Sequence, residues 1–138
     1  MSLKKILSIA LVLLFLMGCQ GDNTTSNNIN KESIIIQKVS SILNKSPKEV
    51  TKDDLGEIEE LNLSSSDIND DKTLNISILS QMVNLKDLKF IDCNLSDITP
   101  LKNLTNLKRL TIRNSSISDI TVLKNLTTVN YLSLDENP

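Results

Sequence analysis

The sequence contains no histidine and no tryptophan. Without imidazole, only carboxylates and lysines are left for acid–base work, and the commonest metal ligand is missing. Aromatic residues make up 2% of the chain, and beyond the first twenty positions only Phe90 and Tyr131 occur. Any core is therefore aliphatic, carried by Leu and Ile. Positive charge is scarce as well. The formal net charge is −2, or −4 without leader residues Lys4 and Lys5 (13 Lys and Arg against 17 Asp and Glu). Such a chain has no bulk attraction to nucleic acid or to anionic lipid. The longest apolar run, "ILSIALVLLFLM" at residues 6–17, has 12 residues. A membrane-spanning helix needs about 20. Only two cysteines are present, Cys19 and Cys93.

The apolar run follows two lysines and ends in Leu16-Met17, directly before Gly18-Cys19. A positive start and a short apolar stretch suit a secretory signal. The ending resembles the bacterial lipoprotein signal, in which a small residue precedes the cysteine that is lipidated and becomes the new N-terminus. The resemblance implies a signal peptide over residues 1–18, lipid on Cys19, and an exported chain anchored by that lipid to the cell membrane or envelope. No disulfide is then possible within the mature chain. Residues 19–32, Asn-rich and without periodicity, read as a flexible tether. A dozen extended residues reach about 40 Å.

A helical segment is expected over residues 33–57. Ile35, Val39, Ile42 and Leu43 fall on one helical face, and Ser46-Pro47 is expected to end the helix. Thr51 and Asp54 then have the spacing of a capping box for a short turn ending at Gly56.

From residue 58 onward the chain repeats itself. "NLKDLKFIDCNLSDITPLKNL" at 84–104 is followed 22 residues later by "NLKRLTIRNSSISDITVLKNL". Apolar columns recur at Leu85, Leu88, Phe90, Cys93, Leu95, Ile98, Leu101 and Leu104, then at Leu107, Leu110, Ile112, Ser115, Ile117, Ile120, Leu123 and Leu126. Val129, Leu132, Leu134 and Asn137 begin a further unit, which is incomplete. Ile58, Leu61 and Leu63 open an earlier one of 27 residues, with five inserted around "NDDKTLN". A period in the twenties signals stacked units. The spacing L-x-x-L-x-L is a strand with one face inward. The later spacing of three suits a 3₁₀ return. A single unit cannot bury its own apolar row, so the strands are expected to stack into a parallel sheet, with Leu88, Leu110 and Leu132 forming one buried column.

The pattern is that of the leucine-rich repeat. The 22-residue length, "SDITPLKNLTNLKRL" and the preceding "VTKDDLGEIEELNLS" resemble the internalin-type repeats of bacterial surface proteins over residues 33–138, about three quarters of the chain. The expected fold is thus α/β: a short leucine-rich repeat solenoid over residues 58–138, with a parallel sheet on its concave side and a helical N-terminal cap. The resemblance implies a protein-binding strand face and no catalysis. Family members carry more repeats and a second cap, so the chain reads as truncated, or as a structural module whose open repeat edge stacks on another protomer.

Few residues are left for other chemistry. Cys93 occupies the ladder column shared with Ser115 and Asn137, where side chains are expected to point inward and bond backbone groups; without a basic neighbour it is inert. Residues 67–71 resemble the start of a calcium loop, but Lys72 and Ile78 stand where Gly and Glu are required. The segment reads as a solvated insertion. N-x-[ST] triplets at Asn94, Asn103 and Asn125 are a product of the repeat. No catalytic residue, metal site or cofactor is implied. The expected partner-binding residues are the outward positions of the strands: Asp87, Lys89 and Ile91; Arg109, Thr111 and Arg113; Tyr131, Ser133 and Asp135. Among them Ile91 reads as an exposed apolar residue, and Tyr and Arg are the types enriched at binding hot spots. The expected partners are another protein and, through Cys19, the membrane, with no nucleic acid.

Overall fold

The computed structural model describes residues 33–68 and 74–138. The leader, Cys19, the tether and residues 69–73 of the calcium-like insertion lie outside the described residues.

The first helix, α1, spans Ile34–Leu43. Ile35, Ile36 and Val39 are fully buried, whereas Ile42 is half exposed. The inward face is thus rotated toward Ile36 and Ser40 from the one expected. Ser40 is tolerated there because its hydroxyl donates to the Gln37 carbonyl at 2.7 Å. The helix ends before Ser46-Pro47. Asn44 adopts a left-handed conformation (φ 53°), and the Lys45 N–H returns to the Ser40 carbonyl at 2.9 Å. This is the αL ending that Asn provides at low steric cost. Pro47 instead opens a 3₁₀ turn, Pro47–Glu49, capped by Ser46.

The second helix, α2, is the single turn Lys52–Gly56. Its capping box is formed: the Thr51 hydroxyl accepts from Asp54 N–H at 3.2 Å, and the Asp54 carboxylate accepts from Thr51 N–H at 2.9 Å. Val50 and Leu55 join Ile35, Ile36 and Val39 in one apolar cluster with the first strand.

Four strands follow, β1 (Glu60–Ser64), β2 (Asp87–Ile91), β3 (Arg109–Arg113) and β4 (Tyr131–Ser133). They lie in the order β1-β2-β3-β4, all parallel. The register repeats the sequence columns: Leu61 pairs with Leu88, Leu88 with Leu110, and Leu110 with Leu132. The long first unit therefore keeps its strand in step, and its extra residues are accommodated outside the sheet. The returns are the 3₁₀ turns Ser77–Gln81, Thr99–Asn103 and Thr121–Asn125. Each is opened by an Asn or Asp whose side chain accepts a backbone N–H two residues on: Asn75 from Ser77 at 2.9 Å, Asp97 from Thr99 and Asp119 from Thr121 at 2.8 Å. After the strands the chain turns through left-handed residues at one column, Asp92, Asn114 and Glu136. Asn84 and Asn106 add a polar spine, each amide donating to a carbonyl one coil back, at Gly56 (2.7 Å) and Val83 (2.9 Å). Thr128 continues it with its hydroxyl on the Thr105 carbonyl at 2.6 Å.

Two expectations are corrected. Leu132 is in register but 49% exposed, against 0% for Leu110; Ile120 is 50% exposed, against 1% for Ile98. The columns of Leu110 and Ile98 are covered by a coil on each side, whereas among the described residues those of Leu132 and Ile120 are covered on one side only. At the ladder column, Asn137 donates to the Ile112 carbonyl at 2.8 Å and the Leu134 carbonyl at 2.9 Å. The Cys93 thiol faces the Leu63 and Ile91 carbonyls at 3.5 and 3.3 Å. Ser115, however, is buried with its hydroxyl unpaired. Its single-atom reach is too short for the bonds Asn137 makes.

Acid should loosen this fold. Burial alone would raise the Asp54 carboxyl, but the Lys45 ammonium at 2.5 Å and Thr51 override it and hold it below the ordinary 3.8. Asp67 is likewise lowered against its burial, by Lys38 at 2.8 Å and by Ser64. Asp97, bonded by the Thr99 side chain and backbone, and Asp119, bonded by the Thr121 backbone and side chain, are lowered too. When the folded pKa is the lower one, the unfolded chain binds more protons, so stability rises with pH across that window. The melting temperature should therefore be flat above the ordinary aspartate range and fall as pH drops through and below 3.8. Asp54→Asn with Asp67→Asn should flatten that fall. Thermal melts across the acid range check both outcomes.

Candidate functional site

Alternation within the strands divides their side chains. Leu88 and Phe90, then Leu110 and Ile112, point into the core; their neighbours form the outer face. Register sets that face out in three rows. One runs Glu60, Asp87, Arg109, Tyr131. The next runs Asn62, Lys89, Thr111, Ser133. The third runs Ser64, Ile91, Arg113. Eight of the nine expected residues thus share one surface, about 15 Å across at the usual strand spacing. Asp135 lies just past β4. Ile91 is partly buried rather than exposed, because Ser64 and Arg113 flank it in register.

The charges on this face are unequal in availability. Arg113 is committed, its Nη2 and Nε standing 2.6 and 3.1 Å from one Glu136 carboxylate oxygen. That carboxylate raises the Arg113 pKa. Arg109 reaches Asp87 only loosely, at 3.7 Å. Lys89 makes no ion pair among the described residues. Tyr131 is exposed beside Arg109. Asn62, Asp87, Lys89, Arg109, Thr111 and Tyr131 line a shallow depression of about 580 Å³.

The Arg113–Glu136 pair was not legible from sequence patterns, since its partners sit 23 positions apart, one off the repeat. Asn130, which also lines the depression, precedes β4 in a column that earlier holds Lys86 and Lys108, and nothing in its type marks it out.

Elsewhere the chemistry is sparse. Burial pushes the Cys93 thiol up, and the nearby Asp67 and Asp92 reinforce the shift. A thiol held protonated in this way is a poor nucleophile. Among the described residues no group of three or more Cys, Asp or Glu is placed to hold a metal ion. No helix among them is long and apolar enough to cross a membrane.

The architecture is similar to that of a solved structure. An internalin from Listeria monocytogenes aligns with a TM-score of 0.66 and 29% identity, covering 75% of this chain. The fold is a short leucine-rich repeat solenoid. The chain spans 30% of that internalin's length. An internalin C2 from the same organism aligns over 75% of this chain and 64% of its own, at 21% identity and a TM-score of 0.45. No protein-family model matches the chain, and no curated protein does. The solenoid is similar in fold to that internalin over the aligned part.

Proposed function

We propose that the chain is a bacterial envelope protein, anchored by lipid on Cys19, that binds another protein through the outer face of its sheet without catalysing a reaction. One observation carries the binding part. The repeat sets Ile91, Arg109, Arg113 and Tyr131 side by side on a surface fixed from beneath, under β2 and β3, by the buried side chains of Leu88, Phe90, Leu110 and Ile112. Preorganised residues of these types bind with little loss of side-chain freedom. The anchoring part rests on the leader sequence alone.

A pull-down from envelope extract with the chain as bait identifies the partner, and affinities are then measured on the purified pair. Alanine at Ile91, Arg109, Arg113 and Tyr131 together should weaken binding by about a hundred-fold or more, since truncating even one or two hot-spot residues costs about 2–4 kcal/mol and such costs do not add. Unchanged affinity would exclude this face. For the anchor, Cys19→Ser should abolish lipid labelling and release the protein from membranes.

A second reading, assembly through the outer edge of β4, draws on the exposure of Leu132 and on the small apolar groove that it forms with Leu123, Leu126 and Val129. Sedimentation showing a mass that grows with concentration supports it, and a constant monomer mass rules it out.

A further inference from the structure

Three cations surround one point on the face. Thr111 lies in the middle of β3, with Arg109 two residues before it and Arg113 two residues after. Lys89 is its register partner on β2. Ideal strand geometry puts the arginine Cα atoms about 6.6 Å from that of Thr111, and Lys89 one strand spacing away, about 4.8 Å. All three side chains leave the sheet on the same side. The demands on them differ: Glu136 holds Arg113 at 2.6 Å, Asp87 only approaches Arg109 at 3.7 Å, and Lys89 has no ion pair among the described residues. The depression of about 580 Å³ opens at this point and includes Lys89, Arg109, Thr111 and the Tyr131 ring.

The surroundings decide what kind of anion fits. Glu60 and Asp87 border the cations at one end of the strands; Asp92, Asp135 and Glu136 border them at the other. A polyanion laid across the face would meet these carboxylates and be repelled. A single negative group carried on an otherwise neutral or apolar surface meets the cations, a hydroxyl and a ring, with one carboxylate, Asp87, on the same wall and 3.7 Å from Arg109. We infer that the depression seats one acidic side chain, Asp or Glu, of a protein partner, with Lys89 as its principal ion-pair donor and Arg109, Thr111 and Tyr131 completing the seat. This rests on the reading of the face as protein-binding and names the chemistry of what it binds.

A random peptide library displayed on phage, panned against the full chain, tests it. Selected peptides should be enriched in Asp or Glu at one position. Replacing that acid by its amide should weaken binding about ten-fold or more, as expected for a charge-assisted hydrogen bond. Binding should also weaken as salt rises. Lys89 is exposed, so its replacement leaves the fold intact. Lys89→Met should lose the acidic preference, and Lys89→Glu should turn it toward Lys and Arg.

Peptides that need Tyr131, shown by loss of binding in Tyr131→Ala, yet show no acidic preference overturn the inference and leave the protein-binding face standing. No selected peptide, or peptides indifferent to Tyr131→Ala and Arg113→Ala, overturn both. Heparin bound in a manner that depends on Lys89 marks a polyanion site and also overturns the inference.

Discussion

Alanine at Leu110 is expected to cost about 2–5 kcal/mol of stability, and alanine at Leu132 about 1 kcal/mol. The two leucines are register partners in one column, with the same chemistry and the same strand geometry. What differs is the cover. Leu110 is fully buried, with β2 on one side and β4 on the other, so truncation removes apolar burial and leaves a cavity as well. Leu132 is half exposed and, among the described residues, has β3 on one side only, so about half the burial is lost and no enclosed void forms. Leu88, flanked by β1 and β3, should behave like Leu110. At about 4–8 °C per kcal/mol for a domain near this size, the Leu110 variant should melt at least about 8 °C lower. Chemical denaturation of the three variants measures the gradient. Equal costs at Leu110 and Leu132 would mean that something covers the outer coil.

Asparagine at Ser115 should stabilise the fold by about 1–3 kcal/mol, from two new hydrogen bonds. The column supplies the template. Asn137 bonds one carbonyl in the preceding coil, Ile112, and one in its own, Leu134. Moved back one repeat, those acceptors become Phe90 and Ile112, which are register partners on β2 and β3. Serine leaves its own hydroxyl buried and unpaired. Ser115→Ala, which removes that orphaned hydroxyl, should be neutral or slightly stabilising. Asn137→Ala should cost about 1–3 kcal/mol because it strips partners from the Ile112 and Leu134 carbonyls. A destabilised Ser115→Asn variant would show that the interior at this coil has no room for the amide.

The solenoid was legible because two periods coincide in the same letters. Alternation within each strand names the inward face, and the 22-residue repeat names the neighbours above and below. Those periods placed Leu61, Leu88 and Leu110 in one column even across the 27-residue unit. They could not report the exposure of Leu132 and Ile120. A column pattern is the same whether or not a further coil lies on it, while burial depends on that coil. Nor could they report that α1 stops at Asn44, because the αL ending is decided by hydrogen bonds to Ser40 and Ser41 and competes with the downstream proline. Ile42 went astray for a related reason: Ile34, Ile35 and Ile36 are consecutive, so several helical faces were apolar enough, and packing chose the one through Ile36. At the candidate site the outward positions followed from alternation. The pairing of Arg113 with Glu136 did not, since it depends on how Glu136 turns in its left-handed conformation beyond the end of β4.

The central claim is that the buried aliphatic stack holds up a sheet face through which the chain meets its partner. The most direct measurement is an amide chemical-shift map of the chain titrated with a peptide or protein that binds it. The account predicts shifts concentrated in Asp87–Ile91, Arg109–Arg113 and Tyr131–Ser133. Shifts confined to the opposite returns, Ser77–Gln81, Thr99–Asn103 and Thr121–Asn125, would contradict it.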